Sequence, residues 1–142
     1  MSEMTELNLA TLVTRPGVSL YRTTKRQVKD HESTIDVIDA RSAKAIIDDW
    51  QLISLHHHET AQVMIHLIGQ VRGTQKTRLT SRVSEIDLAR NLVVTQNSLY
   101  RMGSKGEGEP SPRQLLAIIY VFGVWGIADS LGMPRILLGG CE

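Results

Sequence analysis

The chain has 142 residues, 42% of them hydrophobic, with 16 lysines and arginines against 15 acids and a single cysteine. That length fits one domain able to bury about two thirds of its unfolded surface, so no disulfide staple is required. A net charge of +1 is neither the basic excess of a typical nucleic-acid domain nor the acidic excess of a DNA mimic.

Cys141 stands beside the C-terminus, where it can neither close an internal disulfide nor join a multi-cysteine metal site, which points to a reducing, cytoplasmic setting. The acidic start MSEMTELNLATLV lacks the basic segment and apolar run of a secretory signal. Residues 1–8 are expected to be disordered, ahead of a single α+β domain over 9–142. The charge is unevenly spread. Arg15, Arg22, Lys25, Arg26 and Lys29 form a basic block in 15–29, and Arg72, Lys76, Arg78 and Arg82 form another in 72–82, with an acidic stretch between them.

Arg15-Pro16-Gly17 signals a turn. The following VSLYRTTKRQV, residues 18–28, suits an edge strand, because its lysine and arginines discourage edge-to-edge pairing. From Ser33 to Ile53 the spacing predicts an amphipathic helix: Ala43, Ile46, Ile47, Trp50 and Ile53 recur at helical intervals. Ser33, Asp39 and Ser42 are its candidate N-caps, with a short strand over STIDVID as the alternative start. Residues 61–71 alternate, with Ala61, Val63, Ile65, Leu67 and Val71 on one side and Gln62, His66 and Gln70 on the other, which predicts a strand.

A hairpin follows, its arms 77–86 and 92–102 joined across Asp87–Asn91. With the preceding strand it makes an antiparallel meander. GSKGEGEPSP (103–112) reads as a mobile connector, and Ser111-Pro112 supplies an N-cap and N1 proline for a helix running to about Leu131. The 14 residues Leu115–Ala128 carry no charge and are shorter than the ~20 needed to cross a bilayer. No membrane association is expected. A helix so apolar needs cover on every side, from the first helix, from the tail MPRILLGG (133–140), or from a second copy in a homodimer through 115–128. The expected architecture is therefore a three- to four-stranded antiparallel sheet packed on an apolar C-terminal helix, with one further amphipathic helix.

Three constellations could carry chemistry. His56, His58 and Glu59 are metal-ligand types, with His57 and His66 nearby. In an unbroken strand, however, His58 and His66 would stand about 26 Å apart, and no defined zinc spacing is present, so a solvated helix-to-strand connection is the plainer reading. Arg22, Lys25, Arg26, Arg78 and Arg82 are candidates for nucleic-acid or partner binding, with Arg78, Thr80, Arg82 and Ser84 alternating along one strand face. No helix-turn-helix, zinc-finger or stacking motif accompanies them. Gly103-Ser104-Lys105-Gly106 is superficially phosphate-like but lacks the G-x-x-x-x-G-K-[ST] spacing. No G-x-S-x-G elbow is present, and Asp48 and Asp49, adjacent on the expected helix, would point apart. Neither catalysis nor a cofactor is expected.

Thr80-Ser81-Arg82-Val83, Ile86-Asp87, Val94-Thr95, Asn97-Ser98 and Tyr100-Arg101-Met102-Gly103 resemble a pattern in short uncharacterised proteins of bacteria and their phages or mobile elements. In that pattern a T-S-x-V strand ends in a hydrophobe-Asp turn and returns as V-x-T-x-x-S-x-Y-x-hydrophobe-G. The resemblance implies a small accessory protein with no catalytic residues to carry over. The leading expectation is a non-catalytic cytoplasmic protein-binding module, an accessory or inhibitor that occupies a partner surface. A nucleic-acid-binding regulator and a metal-dependent enzyme built on His56–Glu59 are the alternatives.

Overall fold

The computed structural model of the protein describes residues 7–36 and 43–134. Expectations that fall on 1–6, 37–42 and 135–142, including most of the disordered start, two helix caps, the tail beyond Pro134 and Cys141, lie outside the described residues; Met133, where the tail begins, is buried in the cluster that α3 joins. In chain order the elements are α1 (Leu9–Leu12), β1 (Val18–Arg22), α2 (Lys25–Asp30), β2 (Ile46–His57), β3 (Gln62–Val71), β4 (Thr77–Asp87), β5 (Leu92–Thr95), β6 (Leu99–Met102) and α3 (Pro112–Val124), then a 3-10 turn over Asp129–Leu131. The class is α+β with an antiparallel sheet, as expected, but six strands are present among the described residues in place of three or four.

Successive strands pair antiparallel from β1 to β6. The start of β2 also runs parallel to β6, with Ile46 opposite Arg101 and Ile47 opposite Met102. That contact rolls β2–β6 into a small closed barrel. The other half of β2, from Ile53 to His57, pairs with the edge strand β1.

The helix expected between Ser33 and Ile53 is instead β2 over its second part, and the reason is a bulge. Three steps along β2, from Asp48 to Gln51, match two along β3, from Gln70 to Ile68. Asp49 takes up the extra residue in the left-handed region at φ 52°, which aspartate tolerates better than most residues. The bulge inverts the alternation, so Ile47 and Trp50, three apart, both enter the barrel. Beyond it, Ile53 and Leu55 face the other way. A strand buried on both faces shows a continuous apolar run, and here the bulge makes that run imitate helical spacing. The bulge needs glycine opposite it: a Cβ on Gly69 would lie 2.7 Å from the Asp48 carbonyl oxygen and against the Ile47 side chain.

The expected 61–71 strand is β3, and the hairpin is β4–β5 with Asp87 opposite Leu92. The second arm breaks at Gln96–Ser98, so its remainder becomes β6. Asp87 starts the hairpin turn by accepting Arg90 N at 3.1 Å, and its other oxygen accepts Ile35 N at 2.9 Å. These bonds, that from Ile35 first, hold its carboxyl below the ordinary range.

α3 begins where expected. Ser111 caps it in a capping box with Gln114, and Pro112 occupies its first turn. It ends at Val124 rather than near Leu131, because Gly126 turns the chain at φ 80°. One face of α3, comprising Leu115, Ile118, Ile119 and Phe122, packs with Leu9 and Leu12 of α1 and with Leu20, Ile53, Leu55, Ile68 and Leu79 on the outer face of the sheet. The second layer, of Ile47, Trp50, Leu52, Ile65, Leu67, Val83, Ile86, Val93, Tyr100 and Met102, fills the barrel. Each large side chain so buried contributes about 1.5–3 kcal/mol before chain entropy is counted. α3 is not covered all round: Leu116, Tyr120 and Val124, one turn apart, are 48%, 49% and 65% exposed. This stripe is where the dimer expectation attaches. No helix among the described residues is long and apolar enough to cross a membrane.

Gly69→Ala should cost about 2 kcal/mol in urea unfolding, because the clash is with backbone. Asp49→Gly should stay within about 0.5 kcal/mol of the parent, since glycine takes the same φ without strain.

Candidate ligand cleft

β2 changes neighbours part-way along its length. Residues 46–47 lie beside β6 and 53–57 beside β1, so over 48–52 that edge of the strand has no strand partner. The connector 103–108 fills part of this gap and is far from the loose segment expected. Gly103 N donates to Ile47 O (2.8 Å), Trp50 N to Ser104 O (3.1 Å) and Gly106 N to Trp50 O (2.8 Å). Asp48 fastens it. Its carboxylate takes a two-point contact from Arg72, Nε to Oδ2 at 2.7 Å and Nη2 to Oδ1 at 2.8 Å, and also accepts Ser104 N at 2.9 Å. The Arg72 guanidinium first, then Ser104, hold the Asp48 carboxyl far below the usual carboxylate range. Asp48 and Asp49 are thus parts of the bulge, not the exposed face of a helix.

α2 lines the other side of the gap. The edge strand expected over 18–28 stops at Arg22, and Thr24 begins α2 through a capping box with Gln27. Gln27 also ties the helix to the sheet, donating from Nε2 to Tyr21 OH at 2.8 Å and accepting from Ser54 Oγ at 2.9 Å. Helical spacing puts Lys25, Val28 and Lys29 on one face, and Glu32 follows just past the helix end. Between this face and the connector lies a cleft of about 680 Å³, whose apolar floor is Val28, Trp50, Leu52 and Leu88 and whose cations are Arg22, Lys25, Lys29 and Lys105. Arg22 donates to Gly108 O at 3.1 Å, and Lys105 Nζ stands 5.7 Å from the centre of the Trp50 ring. Gln51 is buried at the back of the cleft. Its Nε2 donates to Gly108 O at 2.9 Å, which fixes the amide orientation, and its Oε1 is buried with no donor among the described residues.

Of the basic candidates, Arg22 and Lys25 meet in this cleft. Arg26 is exposed and does not line it. Arg78 and Arg82 lie elsewhere and apart. A bulge in β4 sets His66 opposite Arg82 and Ile68 opposite Leu79, while Arg78 pairs with Gly69. The two arginines therefore face opposite sides of the sheet, and the expected row Arg78–Thr80–Arg82–Ser84 does not exist. Thr80 is buried, its hydroxyl accepting Leu67 N at 3.1 Å. Arg22, Ile53, His66 and Arg82 do share one row across β1–β4, but Ile53 and His66 between the arginines are buried. The two basic blocks do not merge into one surface.

His56 and His58 come together as strand spacing implies, their rings stacked with centres 4.1 Å apart. Each is bonded to a hydroxyl of β1: His56 Nδ1 with Tyr21 OH at 2.8 Å, His58 Nε2 with Ser19 Oγ at 2.7 Å. Glu59 is exposed, and no group of three or more potential ligands for a metal assembles among the described residues. His66 is remote, on the strand side the alternation set opposite the apolar row, yet it is only 4% exposed, with Phe122 and Trp125 packed against its ring. Its Nδ1–H donates to Thr80 O at 2.9 Å. Burial pushes its pKa below 6.5, the Arg82 charge adding to the fall while the Thr80 and Ser81 carbonyls oppose it.

Sequence reasoning missed Lys29, Lys105, Gln51 and Trp50 as cleft residues. The Thr24-x-x-Gln27 capping box was a legible signal for α2 and hence for Lys29. Nothing local marks the other three, because they meet only through the break in β2 pairing.

Two pH effects follow. The folded His66 ring binds a proton less readily than the unfolded one, so stability should fall as pH drops below about 6.5, where the unfolded chain takes up that proton first. His66→Asn, which keeps a donor for Thr80 O, should remove that slope in thermal melts between pH 7 and 5. The Asp48 contribution is complete above pH 3.8, the ordinary aspartate value, and declines as pH falls below it, so Asp48→Asn should flatten the acid limb of the same curve. Comparison with known proteins gave no match to a family model, a curated protein or a solved structure.

Proposed function

We propose that the protein is a non-catalytic binding module that works through the cleft by occupying an anionic surface of a partner. One observation carries the reading: Arg22, Lys25, Lys29 and Lys105, from three separate segments, converge around an apolar floor. Four like charges at one opening repel one another and strengthen association with a negative partner, most at low salt. The floor supplies desolvated contact area, which charge alone lacks. An accessory or inhibitory role, the one implied by the hairpin resemblance, needs no more than such an occupied surface.

Trp50 fluorescence in a Trp125→Phe background reports the cleft directly. Titration with polyglutamate, a deoxythymidine oligonucleotide and inorganic polyphosphate should show binding of at least one polyanion at 50 mM salt and loss by 500 mM. Lys25→Glu combined with Lys105→Glu should weaken that binding at least tenfold, with Arg78→Glu as the unaffected control. Absence of binding by all three at low salt, or equal binding by the double variant, would overturn the proposal.

A further inference from the structure

We infer that the occupant of the cleft is an acidic segment of a partner protein that seats one large apolar side chain on Val28, Trp50 and Leu52 and turns its backbone N–H groups to the wall acceptors Glu32 and Thr23. The inference rests on the anionic-partner reading above and narrows it by the chemistry of the cleft walls.

The walls of the cleft carry acceptors as well as positive charge: the exposed Glu32 carboxylate and the Thr23 hydroxyl stand among the four cations. Glu32 repels every anion alike, but a phosphodiester or polyphosphate backbone has no N–H to offer these oxygens. A peptide backbone brings one N–H per residue, and its glutamate or aspartate side chains reach the lysines while the amides face the wall oxygens. Gln51 takes no part, its Oε1 being closed off from solvent.

The floor argues in the same direction. Single-stranded nucleic acid gains affinity by stacking bases on open aromatic faces. Trp50 is only 8% exposed, with Lys105 over its ring, and the other floor residues are aliphatic. Such a floor accepts an inserted leucine or phenylalanine side chain rather than a stacked base. Nor do the cations continue as a track for successive phosphates, since Arg26, Arg78 and Arg82 do not line the cleft.

Fluorescence anisotropy on the full chain tests this with three labelled probes: a nine-residue peptide of glutamates around a central phenylalanine, the same peptide with central glycine, and a deoxythymidine oligonucleotide of matching charge. The phenylalanine peptide should bind at least tenfold tighter than the other two. N-methylation of one of its three central amides should weaken binding about tenfold, a change made in the ligand that leaves the protein's folding untouched. Tighter binding of the oligonucleotide, equal binding of the two peptides, or indifference to N-methylation at all three positions would overturn the inference and leave the anionic-partner reading in place. Failure of all three probes at low salt would remove both.

Discussion

The Asp48 carboxylate joins three stretches that are distant in sequence: β2, the Arg72 turn after β3, and the connector at Ser104. Its position is forced by the neighbouring bulge, where Asp49 takes up an extra residue and β2 bends away from β6. Without that bend one strand could not close the barrel with its first half and pair with β1 through its second. The gap left between these partners is what the connector and α2 line. The cleft is therefore a by-product of barrel closure, and Asp48 fixes its rim.

β2 also explains why the core has two layers. Its buried run from Trp50 to Leu55 supplies Trp50 and Leu52 to the barrel and Ile53 and Leu55 to the α3 side, so one strand is the wall between two apolar compartments. Polar groups placed in that wall must be bonded: Ser54, wholly buried, donates to Gln27 and pairs with Thr23, and His66 on the next strand donates to Thr80. Gln51 departs from this rule at one atom, and that atom belongs to a residue lining the cleft.

Legibility from sequence followed how local each cause was. β3 has no bulge within itself, and Gln62, His66 and Gln70 mark its second face as polar in part despite Met64 and Ile68 there, so its alternation was readable. Ser111-Pro112 is a local cap, and α3 began there. Asp87 begins a local turn, and the hairpin followed. β2 and β4 carry bulges whose positions depend on a neighbouring strand, and there periodicity misled twice: it turned β2 into a helix, and it aligned Arg78 with Arg82 on one face. The β2–β6 pairing has no sequence signature, so neither the barrel nor the cleft could be foreseen, although two residues of the first basic block, Arg22 and Lys25, do line that cleft.

The parallel pairing of β2 with β6 joins residues fifty-five positions apart, Ile46 with Arg101 and Ile47 with Met102. The β3–β4 and β4–β5 hairpins, by contrast, need only short loops. Because long-range closure costs more chain entropy than hairpin formation, the meander can assemble while the barrel is still open. The cleft exists only once this long-range closure is made, so a partner that needs its complete rim would recognise only the closed molecule. For a module that works through this cleft as proposed, binding would select the closed barrel, and by mass action would hold it shut for as long as the partner is bound.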